Sequence, residues 1–136
     1  MINIEEVRDV FVKRIIDSSI FNNDDIQWEN MNFNPEGKEL WMTENIMPVL
    51  ENFVSSDNDM AEYIAQYNIS TPINNSRGSF DLNGKATQLG NLFKAGEMIV
   101  TDNYKTSVES IKKSFQGVLT ENWFSIVIDV NFKVFS

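Results

Sequence analysis

The last stretch of the chain alternates between apolar and polar side chains almost without interruption. The apolar members are Phe124, Ile126, Ile128, Val130, Phe132 and Val134, and the polar members are Ser125, Asp129, Asn131 and Lys133. A period of two over this length predicts a long strand with one buried face and one solvent-facing face. A strand of this kind must pair inside a sheet, so the fold is expected to be built around one.

Two other segments carry apolar residues at helical spacing, residues 3–19 and Phe80–Ala95. Asn3 is expected to cap the first helix, with Glu6 completing a capping box. Gly96 is expected to follow the second helix as its C′ residue. The two apolar stripes are Ile4, Val7, Phe11 and Ile15, and Leu82, Ala86, Leu89 and Phe93.

The remaining periodic segments predict strands separated by turns. Pro48 is expected to mark an edge or a bulge. The order α-β-β-β-α-β-β-β predicts one α+β domain over residues 1–136, with a mostly antiparallel sheet and two helices packed on one face. The expected strands are Ile26–Asn30, Leu40–Leu50, Ala61–Thr71, Met98–Thr101, Lys105–Phe115 and Asn122–Phe135. The segment Thr106–Phe115 could also form a helix.

The composition offers little material for catalysis. The 136 residues include neither His nor Cys, which removes the usual general base, the usual zinc ligands and any disulfide. The Asp57-Asn58-Asp59 run suggests calcium, but Glu62 and Asn68 stand where an EF-hand needs Gly and Glu. No phosphate-binding glycine motif is present. We therefore expect no enzyme activity, no cofactor and no metal.

The net charge and the N-terminal sequence limit the classes of partner that we expect. A net charge of −9 argues against a protein that grips nucleic-acid phosphates, since such a surface needs clustered Lys and Arg. The acidic N-terminal sequence does not resemble a signal peptide, and no apolar run is long enough for a membrane span. Acidity suits either solubility or a surface that must repel DNA.

The three Trp residues are candidates either for the core or for an interface, where Trp is enriched. Trp123 opens the last strand with the opposite parity to its apolar face. Its side chain is therefore expected on the polar face or at the sheet edge, where a partner could cover it.

The order of these features resembles the phage tail terminator family, which closes the head-proximal end of the tail tube in long-tailed phages. The resemblance runs through nearly the whole chain. It rests on Trp28-Glu29-Asn30, the turn with Asn34-Pro35, the strand Tyr63–Ile69 closed by Pro72, the helix ending at Leu92-Phe93 near Gly96, and Trp123-Phe124.

The resemblance implies a structural virion protein, assembled in the host cytoplasm without contact to a membrane. It implies a ring, expected to be a hexamer, that stops tube polymerisation and presents a surface to the head–tail connector. DNA would pass through the ring without specific binding. The expected interface residues are Trp28, Asn34, Pro35, Trp41, Arg77 and Trp123.

Three alternatives remain open at the level of sequence. The chain could be another head–tail connector or neck protein, which shares the assembly logic but has a different neighbour. It could be an acidic DNA mimic that inhibits a host factor. It could also be a small enzyme or ligand-binding domain, which would need an apolar pocket with convergent polar groups.

Overall fold

The computed structural model describes residues 2–53, 59–73, 78–120 and 123–136. It contains two helices and a six-stranded, mostly antiparallel sheet, so the predicted α+β class is confirmed. The elements in chain order are α1 (Ile4–Ser18), β1 (Ile26–Gln27), β2 (Trp41–Phe53), β3 (Asp59–Pro72), α2 (Gly78–Gly90), β4 (Met98–Val100), β5 (Lys105–Thr120) and β6 (Trp123–Phe135).

The C-terminal strand lies inside the sheet, as its alternation predicts. The strand order is β1-β2-β3-β6-β5-β4, and β6 pairs antiparallel with β3 on one side and β5 on the other. Only the short β1 runs parallel to its neighbour β2. Because β6 has partners along both edges, its side chains define two faces that continue across the neighbouring strands.

Several predicted strand ends differ from the observed ones. The first strand is shorter than expected and ends at Gln27. The second continues through Pro48 to Phe53, and the register shift between Pro48 and Leu50 is the irregularity that proline predicts. The fifth continues five residues beyond Phe115, because further register shifts absorb the local irregularity.

The second helix ends earlier than its apolar spacing predicts. It stops at Gly90, a residue that weakens a helix, and backbone bonds from Leu92 N to Leu89 O and from Phe93 N to Gly90 O then form a turn. Phe93 is still buried, so the stripe continues in the core outside the helix. Gly96 has φ +86° but lies in the turn before β4, so its predicted role as C′ residue was wrong.

The first helix is capped as predicted, although the capping box was wrong. Asn3 Oδ1 accepts a hydrogen bond from Glu5 N at 3.2 Å. The Glu6 carboxylate accepts instead from Thr101 Oγ1 and Asn103 Nδ2, both at 2.7 Å, and these bonds lower the pKa of Glu6. The Asn3 N–H that a capping box would satisfy donates to the Tyr104 hydroxyl at 2.7 Å. The start of α1 is thereby attached to the β4–β5 turn.

The hydrophobic core lies against the apolar face of β3 and β6, which we call the core face. Phe11 of α1 packs edge-on against Phe132 of β6 at 4.8 Å and contacts Phe93 at 5.0 Å between ring centroids. Phe93 in turn stacks on Tyr67 of β3. Aromatic side chains from four distant parts of the sequence therefore meet at the centre of the core.

A carboxylate is buried on the same side of the sheet. The Glu44 side chain on β2 has no exposed surface, and Arg8 of α1 bridges Glu44 and Glu29. The backbone N–H of Glu29 also donates to Glu44 Oε1 at 3.2 Å. Burial raises the pKa of Glu44, and the Arg8 charge and the Glu29 hydrogen bond oppose that rise.

A second arginine joins α1 to the turn between α2 and β4. Arg14 contacts both carboxylate oxygens of Glu97, at 3.0 and 2.9 Å, and donates to the Leu92 carbonyl at 2.9 Å. Its guanidinium also lies 5.3 Å from the centroid of the Phe93 ring. The hydrogen bonds from Arg14 lower the pKa of Glu97.

Replacing Arg14 with Ala is expected to lower the free energy of unfolding by about 1–2 kcal/mol at neutral pH, because it removes a bidentate, partly buried ion pair. The folded-state pKa of Glu97 lies below its ordinary value of 4.5. The stabilisation is therefore complete above that value and is lost as the pH falls through the lowered folded-state pKa.

Urea denaturation of wild type and Arg14→Ala, from neutral pH down through the folded-state pKa of Glu97, measures the difference in the free energy of unfolding. Lys13→Ala is the matched control, because Lys13 is the exposed preceding residue of the same helix. A difference between wild type and Arg14→Ala that does not shrink at low pH would contradict the assignment to the Glu97 pair.

Candidate assembly surfaces

The opposite side of the sheet, which we call the polar face, carries Gln66 and Asn68 of β3 and Asp129 and Asn131 of β6. Two hydrogen bonds on this face join neighbouring strands. Gln66 Nε2 donates to Asp129 Oδ1 at 3.1 Å, and Asn131 Nδ2 donates to Ser110 Oγ at 3.0 Å. The face is thus an ordered polar surface in which side chains are positioned by their cross-strand neighbours.

Three aromatic side chains cover one end of the polar face. Phe33 stacks on Trp41 at 5.3 Å between ring centroids, and Trp41 meets Trp123 edge to face at 5.7 Å. We call these three residues the aromatic cluster. Both Trp side chains remain partly exposed. The cluster unites the loop before β2, the first residue of β2 and the first residue of β6.

The aromatic cluster lies in the same part of the sheet as a buried pair of serines. Trp41 pairs with Ser70, and Ser70 with Ser125, in one row across β2, β3 and β6. The two hydroxyl oxygens are 2.6 Å apart, and both residues are buried. The expectation that Ser125 faces solvent was wrong, because this end of the polar face is covered; Val127 beside it is buried as well.

Two polar atoms near this end are buried without a hydrogen-bond partner in the part of the chain that the structure describes. They are the indole N–H of Trp41 and the side-chain oxygen of Asn68, one donor and one acceptor. Leaving such groups unpaired costs about 1–3 kcal/mol each. A water molecule or a partner that reaches them would recover this free energy.

The Asn34-Pro35 turn is held beside the aromatic cluster. Asn34 Oδ1 accepts from Glu36 N at 3.0 Å, and Lys38 N donates to the Pro35 carbonyl at 3.1 Å. Lys38 Nζ bonds to Asp25 at 2.8 Å and lies 5.6 Å from the Phe33 ring. The turn is therefore fixed at both ends, and Asn34 itself is exposed.

Trp28, another of the expected interface residues, lies apart from the aromatic cluster. Trp28 follows β1, whose register with β2 places Trp28 on the core-face side, where its indole donates to Asn23 Oδ1 at 3.1 Å. It lines a shallow depression with Glu5 and Arg8 of α1. Arg77 lies outside the described residues.

Sequence reasoning missed Phe33 as a member of the surface. The residue stands in the turn segment Met31–Glu36, where an aromatic side chain has no strand or helix stripe to join. That isolation is the signal that could have identified it, since an aromatic residue in a turn needs some other surface to pack against.

Neither a metal-binding cluster nor a membrane-spanning helix is found among the described residues. Across residues 2–53, 59–73, 78–120 and 123–136, no group of three or more acidic residues could hold a metal ion. None of the helices in those ranges is long and apolar enough to span a bilayer.

Comparison with known proteins decides the family. A family model described as phage tail terminator protein matches residues 6–132 of the chain. This chain belongs to the phage tail terminator family. Membership makes it a structural component of a phage tail, and it confirms the family that the sequence features resemble.

The fold of this chain is also similar to that of a solved structure. One solved structure, of a protein designated only by an identifier, matches with a TM-score of 0.75 at 19% identity, over 98% of this chain and 96% of that chain. At this identity the likeness shows a shared fold. No curated protein matches the chain.

The buried serine pair gives a test of the terminator's polar face. Ser70→Ala or Ser125→Ala alone is expected to lower the free energy of unfolding by about 1–2 kcal/mol, because each leaves the other hydroxyl buried and unpaired. The double variant should lose less than the sum of the two, since no hydroxyl is then left unpaired.

Urea denaturation of the four proteins in this cycle measures the coupling. Ser110→Ala, an exposed serine on the same face, is the control and should change stability by no more than about 0.5 kcal/mol. Additive losses in the double variant would show that the two hydroxyls do not depend on each other.

Proposed function

We propose that this terminator caps the head-proximal end of the tail tube as a ring, most simply a hexamer, and thereby stops tube polymerisation. Its outer end would then present the surface that joins the head–tail connector. The observation that carries the proposal is the family match over residues 6–132.

The polar face supplies the docking surface for the tube in this proposal. The aromatic cluster and the Asn34-Pro35 turn lie together at one end of that face. Partly exposed Trp side chains are typical anchors of protein interfaces.

The other properties of the chain agree with a structural role around DNA. A net charge of −9 disfavours phosphate binding, so DNA would pass through the ring without adhering to its wall. The chain has no His and no Cys, which are the residues most used in catalysis and zinc binding. We propose a non-enzymatic role on this basis.

In the proposed ring, the two helices of each protomer pack on the core face, and the polar face remains available for contacts with other tail components. Two acidic side chains on that face have partners: Asp129 accepts a hydrogen bond from Gln66, and Glu62 lies 3.5 Å from Lys133. A DNA mimic needs rows of uncompensated carboxylates, and these pairs do not provide one. The observations therefore favour a tail component over an inhibitor.

A phage that lacks this gene tests where the protein acts. Without a terminator, tails should be longer than normal or should lack a cap, because nothing stops polymerisation of the tube. Electron micrographs of lysates measure tail length directly. Tails of normal length that are detached from heads would instead identify a connector or neck protein, and complementation with the intact gene is the control.

Substitution of single Trp residues tests the docking surface. Trp123→Ala is expected to weaken binding to purified tail tubes by about tenfold or more, because it removes an anchor from the aromatic cluster. Trp28→Ala, on the opposite side of the sheet, should leave binding close to wild type.

Co-sedimentation of each variant with tubes gives the affinities, after circular dichroism has established that both variants are folded. Equal binding by Trp123→Ala and wild type would rule out docking through the aromatic cluster. A larger loss with Trp28→Ala would move the tube contact to the core-face side of β1.

A further inference from the structure

Most of the exposed large apolar side chains among the described residues form two groups at opposite edges of the sheet. The β2 patch consists of Met47, Val49 and Leu50, which are 37%, 57% and 45% exposed. The β4 patch consists of Met98 and Val100 on the edge strand, which are 54% and 68% exposed, together with Phe135 of β6, which is 39% exposed and lies two strands further in. Clustered apolar exposure of this kind marks an interaction surface.

Both patches lie on edges that the described part of the chain leaves uncovered. β1 pairs with β2 only at Met42 and Thr43, so β2 has no neighbour on that side from Glu44 onward. β4 is the last strand at the opposite side of the sheet. Proteins usually blunt such edges, so apolar side chains at both indicate that something covers them.

The pairing register aligns the two patches across the sheet. A single cross-strand row begins at Leu50 in the β2 patch and ends at Met98 in the β4 patch. Its members are Leu50, Glu62, Lys133, Ser107 and Met98. The patches therefore lie on the same face and at the same level along the strands.

We propose that the β2 patch of one protomer packs against the β4 patch of the next. This inference rests on the ring proposed above and names the surfaces that close it. Two different surfaces that meet head to tail form a heterologous contact, which gives a ring when successive protomers show no axial offset. Patches that lie in one row satisfy this condition when the strands run along the ring axis.

The contact is made by side chains. Pro48 lacks a backbone N–H, and the adjacent register shift disturbs the free edge of β2, so a regular backbone ladder to the next protomer is disfavoured. The surface that three side chains per patch can bury is well below the roughly 800 Å² that each partner buries in a stable interface. One contact alone is therefore weak, and the ring is stable when every protomer makes both contacts.

Two complementary variants test the pairing. Val49→Glu damages only the β2 patch and Val100→Glu damages only the β4 patch, so neither protein should form rings at concentrations where wild type does, in solution or on tube ends. When the two are mixed, one intact pair of patches remains. At raised concentration the mixture should then form a weak one-to-one heterodimer, held by that single contact, that grows no further.

Cross-linking detects the same contact when it is weak. The chain has no Cys, so Leu50→Cys and Met98→Cys introduce the only thiols. A short bis-maleimide should link the protein that carries both substitutions into a ladder up to the full ring. A mixture of the two single variants should give only dimers, and each single variant alone should give none.

The outcomes separate this inference from the proposed function. Rings formed by Val49→Glu or Val100→Glu, or dimers from one single-Cys variant alone, would overturn the patch pairing and leave tube capping intact. Wild type that neither forms rings nor binds tube ends would overturn both. Ile16→Glu, at an exposed apolar residue of α1, is the control and should assemble like wild type.

Discussion

The pairing of β3 with β6 at the centre of the sheet determines which side chains enter the core and which form the polar face. Every residue from Met60 to Pro72 has a partner in β6, so this pair sets one register for the whole sheet. That register directs Tyr67 and Phe132 toward the helices, and Gln66 and Asp129 to the other side. A slip of one residue would exchange the two faces and destroy both the core and the polar surface.

The sequence predicts the parts of this fold that depend on local periodicity. Alternation identifies β6 and its core face, and Pro48 marks the irregular position in β2. Burial of Ser125 could not be predicted, because it lies at the end of the sheet covered by the aromatic cluster and its partner is distant in sequence. The end of α2 at Gly90 was missed because Phe93 continues the apolar spacing from a turn.

The candidate surfaces could also be predicted only where local periodicity determines them. Trp123 could be placed on the polar face from parity alone, whereas its contact with Trp41 needed the strand order. Trp28 was grouped with the other two Trp residues, although the parallel register of β1 puts it on the opposite side. The two apolar edge patches have no sequence signature, because Leu50 and Met98 become related only through the intervening strands.

Electron microscopy of purified tail tubes mixed with the protein can show whether it caps the tube. Our account predicts a ring of density at one end of each tube, the end that joins the head, and no further growth from that end when tube subunits are added. Tubes that bind the protein along their sides, at neither end, or that keep growing from the occupied end would contradict it.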